Sequence, residues 1–146
     1  MHGRPERGNF ATRRSVSVAH AAYQASTFSA ANHNWISLGT EIAVTPADKL
    51  TFEQPDHWIT SWTNTPLMLP HLIRGGAGRG LLPCFMGDAD PGLVRAGPVI
   101  DSLTYDIWIT VHEDERQRPE VRTVIDRLSA LFAAHAGLFA GRCQHP

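Results

Sequence analysis

Apolar and polar side chains alternate most regularly near the end of the chain. Leu103, Tyr105, Ile107, Ile109 and Val111 would share one face of an extended segment, and Asp106, Trp108 and Thr110 the other. A period of two with β-branched and aromatic residues predicts a strand. The period then lengthens: Val121, Val124, Ile125, Leu128, Leu131 and Phe132 recur at helical spacing. Pro119 suits a first helical position, Glu120 suits the positive end of the helix dipole, and Gly137 or Gly141 ends the helix.

Shorter patterns precede this pair. Val16 and Val18 alternate with Ser15 and Ser17 as in a half-buried strand, and the chain then enters Ala-rich sequence around Tyr23. Ser26 can cap a short helix from Thr27 to Ala31. Trp35, Ile36 and Leu38 form a brief strand closed by Gly39, and His57 to Thr63 alternates as a second one. Asn64 or Thr65 before Pro66 is a helix-start signal, with a stop at Gly75 and Gly76, although Pro70 delays or kinks that helix. Leu81 to Pro83 reads as a buried strand, and Asp88 to Gly92 as a turn into a strand through Leu93, Val94 and Arg95. Residues 1–10 carry the Gly, Pro and charge content of a frayed terminus, and residues 40–55 have no clear period. Strands interleaved with helices predict an α/β fold.

Composition narrows the function classes. With 13 Lys and Arg against 14 Asp and Glu, the formal net charge of −1 supplies no global attraction to a phosphate backbone or an anionic membrane. The first fifteen residues lack the apolar run of an export signal, and no apolar stretch reaches the ~20 residues of a membrane span. Cys84 and Cys143 show no metal-knuckle or disulfide spacing, so a reducing cytoplasm is expected.

Against that background, the stretch TNTPLMLPHLIRGGAGRGLLPCFMGDADPGLVR from Thr63 resembles the LysR-type transcriptional regulators. A polar pair heads a helix, the helix runs to a Gly-x-Gly turn, a short strand ends in Leu-Pro, and an acidic loop precedes Leu-Val-Arg. Upstream, RRSVSVAHAAYQAS is similar to the family's crossover strand and the start of a tyrosine-containing helix. Downstream, DIWITVHEDERQRPEVRTVIDRL is similar to its penultimate strand, histidine-acidic turn and final helix. The resemblance implies a partial effector-binding domain over residues 11–141. Its fold would be one lobe of a type 2 periplasmic-binding-protein-like domain, residues 19–111, followed by a return, residues 112–141, whose helix belongs to an incomplete other lobe. The winged helix-turn-helix and the first half of the first lobe find no match.

The same resemblance implies a ligand cleft whose wall includes Asn64, Thr65 and Pro66, with Thr63 and Ser26 at the lobe edge. Free amides at a helix start can seat a carboxylate. An ordinary N-cap accounts for Asn64 and Thr65 equally well, while for the weaker candidates Thr63 and Ser26 a hydroxyl satisfying a local amide is the preferred reading.

Other chemistry is thinner. GGAGRG matches neither a dinucleotide fingerprint nor a phosphate-binding loop. His112 beside Glu113, Asp114 and Glu115 has no second histidine at ligand spacing, so a solvated turn is preferred to a metal site. Cys84 reads as a packed residue, and no Gly-x-Ser-x-Gly elbow occurs. No catalytic residue, cofactor or metal is expected. The expectation is an effector-sensing part of a bacterial regulator, taking a small, anionic organic effector, with DNA binding confined to a full-length parent. Its exposed helix Val121 to Phe132 would drive self-association. The competing readings are a stand-alone solute-binding module, which should carry an export signal and both lobes, and a small hydrolase built on Cys84.

Overall fold

The computed structural model describes residues 9–27, 33–39, 41, 46–52 and 58–142, the side chains of Asp48 and Phe52 excepted. The predicted alternating strand is β7, Tyr105–His112, and it pairs antiparallel with β1, Phe10–Val18. A bulge at Ser15 interrupts the register between Arg14 and Val16. Asn9 and Phe10, placed in the frayed terminus by sequence, are ordered by this pairing, since the amide of Glu113 donates to the Asn9 carbonyl at 2.9 Å. Leu103, expected at the start of the strand, instead lies buried in a 3-10 turn, Asp101–Leu103.

After Val18 the chain passes directly into a second strand, β2, His20–Ala25. The helix expected around Tyr23 is therefore not formed. β2 is paired on both sides, by β5 (Gly80–Pro83) and by β6 (Leu93–Val99), and alternation along it buries Ala21, Tyr23 and Ala25 on one face. Two antiparallel neighbours satisfy its backbone, which outweighs the helix preference of alanine. Ser26 lies in the turn after β2, its amide donating to the Gly92 carbonyl at 3.0 Å, and the helix expected beyond Thr27 falls outside the described residues.

β3 (Trp35–Leu38) and β4 (Ile59–Thr63), each expected as a strand from the sequence, pair in parallel. Between them lies α1, Pro46–Phe52, in the stretch where the sequence showed no clear period, with Pro46 at its first position. A parallel bridge between Trp35 and Arg79 joins this pair to the β5-β2-β6 sheet. The amides of Ile36 and Arg79 complete the join by donating to the carbonyls of Arg79 and Asn34.

The segment after Pro66 divides into a 3-10 turn, Pro66–Met68, and a six-residue helix α2, Leu69–Arg74, with Pro70 in its first turn. Proline is tolerated there because the amide it lacks would be unpaired anyway. Gly75 and Gly76 end α2 as expected, Gly76 at φ +80°. Leu69 and Ile73 of α2 pack into the main core with Ala21, Tyr23, Ile36 and Leu82. A smaller cluster of Ala47, Leu81 and Leu103 seats α1 on the sheet. The short α3, Cys84–Gly87, follows β5.

α4, Pro119–Ala134, takes up the predicted helix but stops at His135, before the expected glycines; Gly137 lies within a further short helix, α5, Ala136–Phe139, and Gly141 follows at φ +67°. No residue of α4 is buried. Val124, Leu128 and Leu131 are 56%, 39% and 52% exposed. Globular helices ordinarily bury their apolar stripe, so this face is unpartnered among the described residues. No helix among them is long and apolar enough to cross a membrane.

Candidate functional site

Strand directions decide which sequence candidates can meet. β3 and β4 are parallel, β5 runs with β3, and β2 runs against β5. The carboxyl ends of β3, β4 and β5 therefore lie on the same side as the start of β2, where the β1–β7 ribbon enters. Thr63 to Pro66 stand on this ribbon side. Ser26, after the carboxyl end of β2, stands at the opposite side and is not brought together with them.

The Thr63–Pro66 turn is exposed and internally bonded. The carbonyl of Thr63 accepts from the Gly39 amide at 3.0 Å, tying the ends of β3 and β4 together. Its hydroxyl accepts from the Thr65 amide at 3.2 Å, the local bond that the sequence favours for it. Thr65 Oγ1 donates to Asn64 Oδ1 at 3.4 Å. Thr65 occupies the cap position, but neither its side chain nor that of Asn64 bonds to an amide of the following turn. The expected N-cap is thus absent. Pro66 removes one amide from the first turn, and the 3-10 geometry lets Met68 donate to the Thr65 carbonyl at 2.9 Å. What remains is a hydroxyl, a carboxamide and the first-turn amide of Leu67 on an exposed rim.

Aromatic side chains flank the ribbon entry. His20 and Tyr105, at the starts of β2 and β7, approach with ring centroids 5.4 Å apart, and burial raises the Tyr105 pKa. Between β1 and β7, Ser17 donates to Asp106 at 2.6 Å and Arg14 pairs with the same carboxylate at 2.9 Å. These bonds, the Ser17 hydroxyl foremost, hold Asp106 below its ordinary pKa of 3.8.

Sequence reasoning missed a polar cluster on the other side of the lobe. Tyr23 donates to Asp88 Oδ1 at 2.7 Å, and Arg95 donates to both Asp88 oxygens, through Nε at 2.9 Å and through Nη2. The same Nη2 reaches the Gly141 carbonyl at 2.7 Å. Side-chain exposures of 13% for Arg95 and 4% for Asp88 make this a buried, closed pair. Burial, then the bond to Asp88, raises the Tyr23 pKa, while the bond to Asp88 raises that of Arg95. Cys84 is fully buried beside them, and burial raises its thiol pKa, so it is packed rather than poised to react. Alternation along β6 placed Arg95 opposite exposed Val94, and that inward arginine was the available signal.

His112 Nδ1 lies 3.3 Å from Asp114 Oδ2 at the surface. Among the described residues no group of three or more His, Cys, Asp or Glu side chains is gathered as a metal site would require.

No protein-family model and no curated protein matches the chain. Solved structures do. The regulatory domain of CrgA, a LysR-type transcriptional regulator from Neisseria meningitidis, aligns with a TM-score of 0.63 at 16% identity, over 90% of this chain and 72% of that one. The reduced OxyR regulatory domain from Pseudomonas aeruginosa aligns with a TM-score of 0.59 at 12% identity, over 89% and 70%. The CcmR regulatory domain from Synechocystis, solved in complex with 2-PG, aligns with a TM-score of 0.60 at 12% identity, over 90% and 71%. The chain therefore has the type 2 periplasmic-binding-protein-like fold of the LysR-type regulatory domains.

Proposed function

We propose that this chain is the effector-sensing part of a LysR-type bacterial transcriptional regulator, working by binding rather than by catalysis in the cytoplasm. The observation that carries the reading is the position of the Thr63–Pro66 turn. It is an exposed polar rim at the carboxyl ends of parallel strands, on the side where the β1–β7 ribbon joins the lobe. In open α/β sheets, ligands settle at the carboxyl ends of strands. A ligand there also touches the connection through which a lobe moves, so binding can bias the geometry of an attached partner.

The effector class is a small organic molecule, and the rim favours an anion. The Thr65 hydroxyl, the Asn64 carboxamide and the Leu67 amide can donate to a carboxylate. The turn and α2 are too short for a helix dipole to add much, so specificity falls to these individual donors. Ser26 lies away from them and is left outside the proposed rim. With a net charge of −1, the chain itself is expected to show no specific DNA retention, that role belonging to a full-length parent. The Val121–Phe132 helix is read as a self-association surface.

Calorimetric titration with small mono- and dicarboxylates tests the effector reading. Saturable binding that Thr65→Val weakens at least tenfold, with thermal stability unchanged, supports it. Binding indifferent to both Thr65→Val and Asn64→Ala removes the rim from the account.

A further inference from the structure

The last described turn crosses directly over the Cys84 thiol. A Cβ at Gly141 would stand 2.9 Å from Cys84 Sγ, so the main chain approaches the sulfur as closely as only glycine allows. The turn is held in that place. Arg95 Nη2 donates to the Gly141 carbonyl at 2.7 Å, and the Arg142 amide donates to the Gly137 carbonyl at 2.9 Å. Cys84 is buried and carries a free thiol. The sequence holds 2 cysteines, and the other, Cys143, follows Arg142 directly and lies outside the described residues.

Covalent geometry limits how far apart the two sulfurs can be. Two peptide units from Gly141 to Cys143 span at most about 7 Å, and a disulfide joins Cα atoms about 4.4–6.8 Å apart. The tether from Gly141 therefore confines Cys143 to the neighbourhood of Cys84 Sγ, on the scale a disulfide requires. Burial keeps oxidants away from Cys84 and raises its thiol pKa, so it is not the first sulfur to react. It need not be. The segment that covers Cys84 is the one that carries Cys143, so the partner sulfur travels with the cover.

We propose that Cys84 and Cys143 form a reversible redox couple that fastens the end of the return segment covalently to the lobe, with a hydroperoxide as the class of oxidant. The Cys143 sulfur attacks the terminal peroxide oxygen, the O–O bond breaks, and the leaving oxygen takes up the Cys143 proton as an alcohol or water. Cys143 is then a sulfenic acid. The Cys84 sulfur attacks the Cys143 sulfur, the S–S bond forms as the S–O bond breaks, and the leaving hydroxide takes up the Cys84 proton as water. Two thiols have lost two electrons and one peroxide has gained them. Thiol reductants reverse the bond by exchange. In a reducing compartment such a pair is transient, as a sensor requires. The bond adds to the Arg95–Gly141 contact a tie at the same place, so oxidation decides whether α5 can leave the lobe. It is an input separate from the Thr63–Pro66 rim.

Equilibration of the full chain with a glutathione redox series, in native buffer and in concentrated urea, tests it by intact mass and peptide mapping. The expected product is a single chain short of two hydrogens, with the peptides of Cys84 and Cys143 linked, and dithiothreitol restores the thiols. Its equilibrium constant should be at least tenfold larger in native buffer than in urea, because the fold supplies the proximity. Hydrogen peroxide on the reduced native chain should give the same product, and in Cys84→Ala it should stop at a sulfenic acid that dimedone traps on Cys143. A constant no larger in native buffer than in urea overturns the proposal. So does a native product in which Cys143 is joined only to glutathione or to a second chain. The two-solvent comparison uses the unsubstituted chain, so it decides the matter even if Cys84→Ala fails to fold.

Discussion

The guanidinium of Arg95 donates from Nη2 to the carbonyl oxygen of Gly141 at 2.7 Å, across 46 residues of sequence. The rest of that guanidinium is held by Asp88, which also accepts from Tyr23. One buried ion pair thus fastens the end of the described chain to the lobe sheet. The Ala19 amide, donating to the Phe139 carbonyl at 2.9 Å, and the packing of Phe139 on Phe85 and Phe132 make the same attachment from the strand side. α4 and α5 are therefore tied to the lobe at their far end, while the apolar stripe of α4 stays open.

Removing one partner of this pair leaves a buried charge uncompensated, which ordinarily costs about 3–5 kcal/mol. Asp88→Asn and Arg95→Met should each lower stability by about that amount in urea unfolding. The combined replacement Asp88→Leu with Arg95→Met should cost less than the sum of the two, because no isolated charge remains. Additive losses would show that the pair is not coupled.

Two glycines permit the cluster to close. A Cβ at Gly87 would lie 2.3 Å from the Tyr23 ring, and one at Gly141 would lie 2.9 Å from Cys84 Sγ in a backbone already at φ +67°. Gly87→Ala is expected to destabilise by about 1–3 kcal/mol through overpacking. Gly141→Ala should lose a comparable amount through its left-handed backbone and the crowded thiol. Gly39→Ala, where a Cβ meets nothing within 4 Å, is the control and should be near neutral. Equal effects at all three positions in thermal unfolding would contradict the packing described.

The β1–β7 ribbon should be sensitive to acid. Asp106 has a folded pKa below its ordinary 3.8, chiefly through the Ser17 hydroxyl and then Arg14. A lowered folded value means that its contribution is complete above 3.8 and fades as pH falls through the lower folded value. The carboxylate is about a third exposed, so the contribution is small. Asp106→Asn should flatten the acid limb of the stability profile below pH 4 and leave its shape near pH 7 unchanged. An unaltered acid limb would remove Asp106 from the ribbon's stability.

Regular periodicity was the legible part of the fold. β7 and α4 follow directly from spacings of two and 3.6, and Gly75-Gly76 marks the end of α2 as turn chemistry requires. The misreadings have physical causes. Ala21, Ala22 and Tyr23 carry helix preference, but pairing with β5 and β6 claims them as a central strand, a non-local fact that composition does not encode. Thr65 reads as a cap from local sequence, yet Pro66 and a 3-10 turn leave its hydroxyl bonded to Asn64 instead. The separation of Ser26 from Thr63 depends on strand direction, which one sequence cannot supply. Tyr23, the Asp88–Arg95 pair and Gly141 come from three stretches far apart in sequence, so spacing alone could not bring them together.

The most direct test of effector sensing follows backbone amides of the isotope-labelled chain by NMR during titration with small mono- and dicarboxylates, because weak binding at a rim is visible there when calorimetry is silent. The account predicts saturable shifts at Thr63, Asn64, Thr65 and Leu67, with Ser26 unmoved. Saturable shifts confined to other parts of the lobe, or no shift with any member of the series, would contradict it.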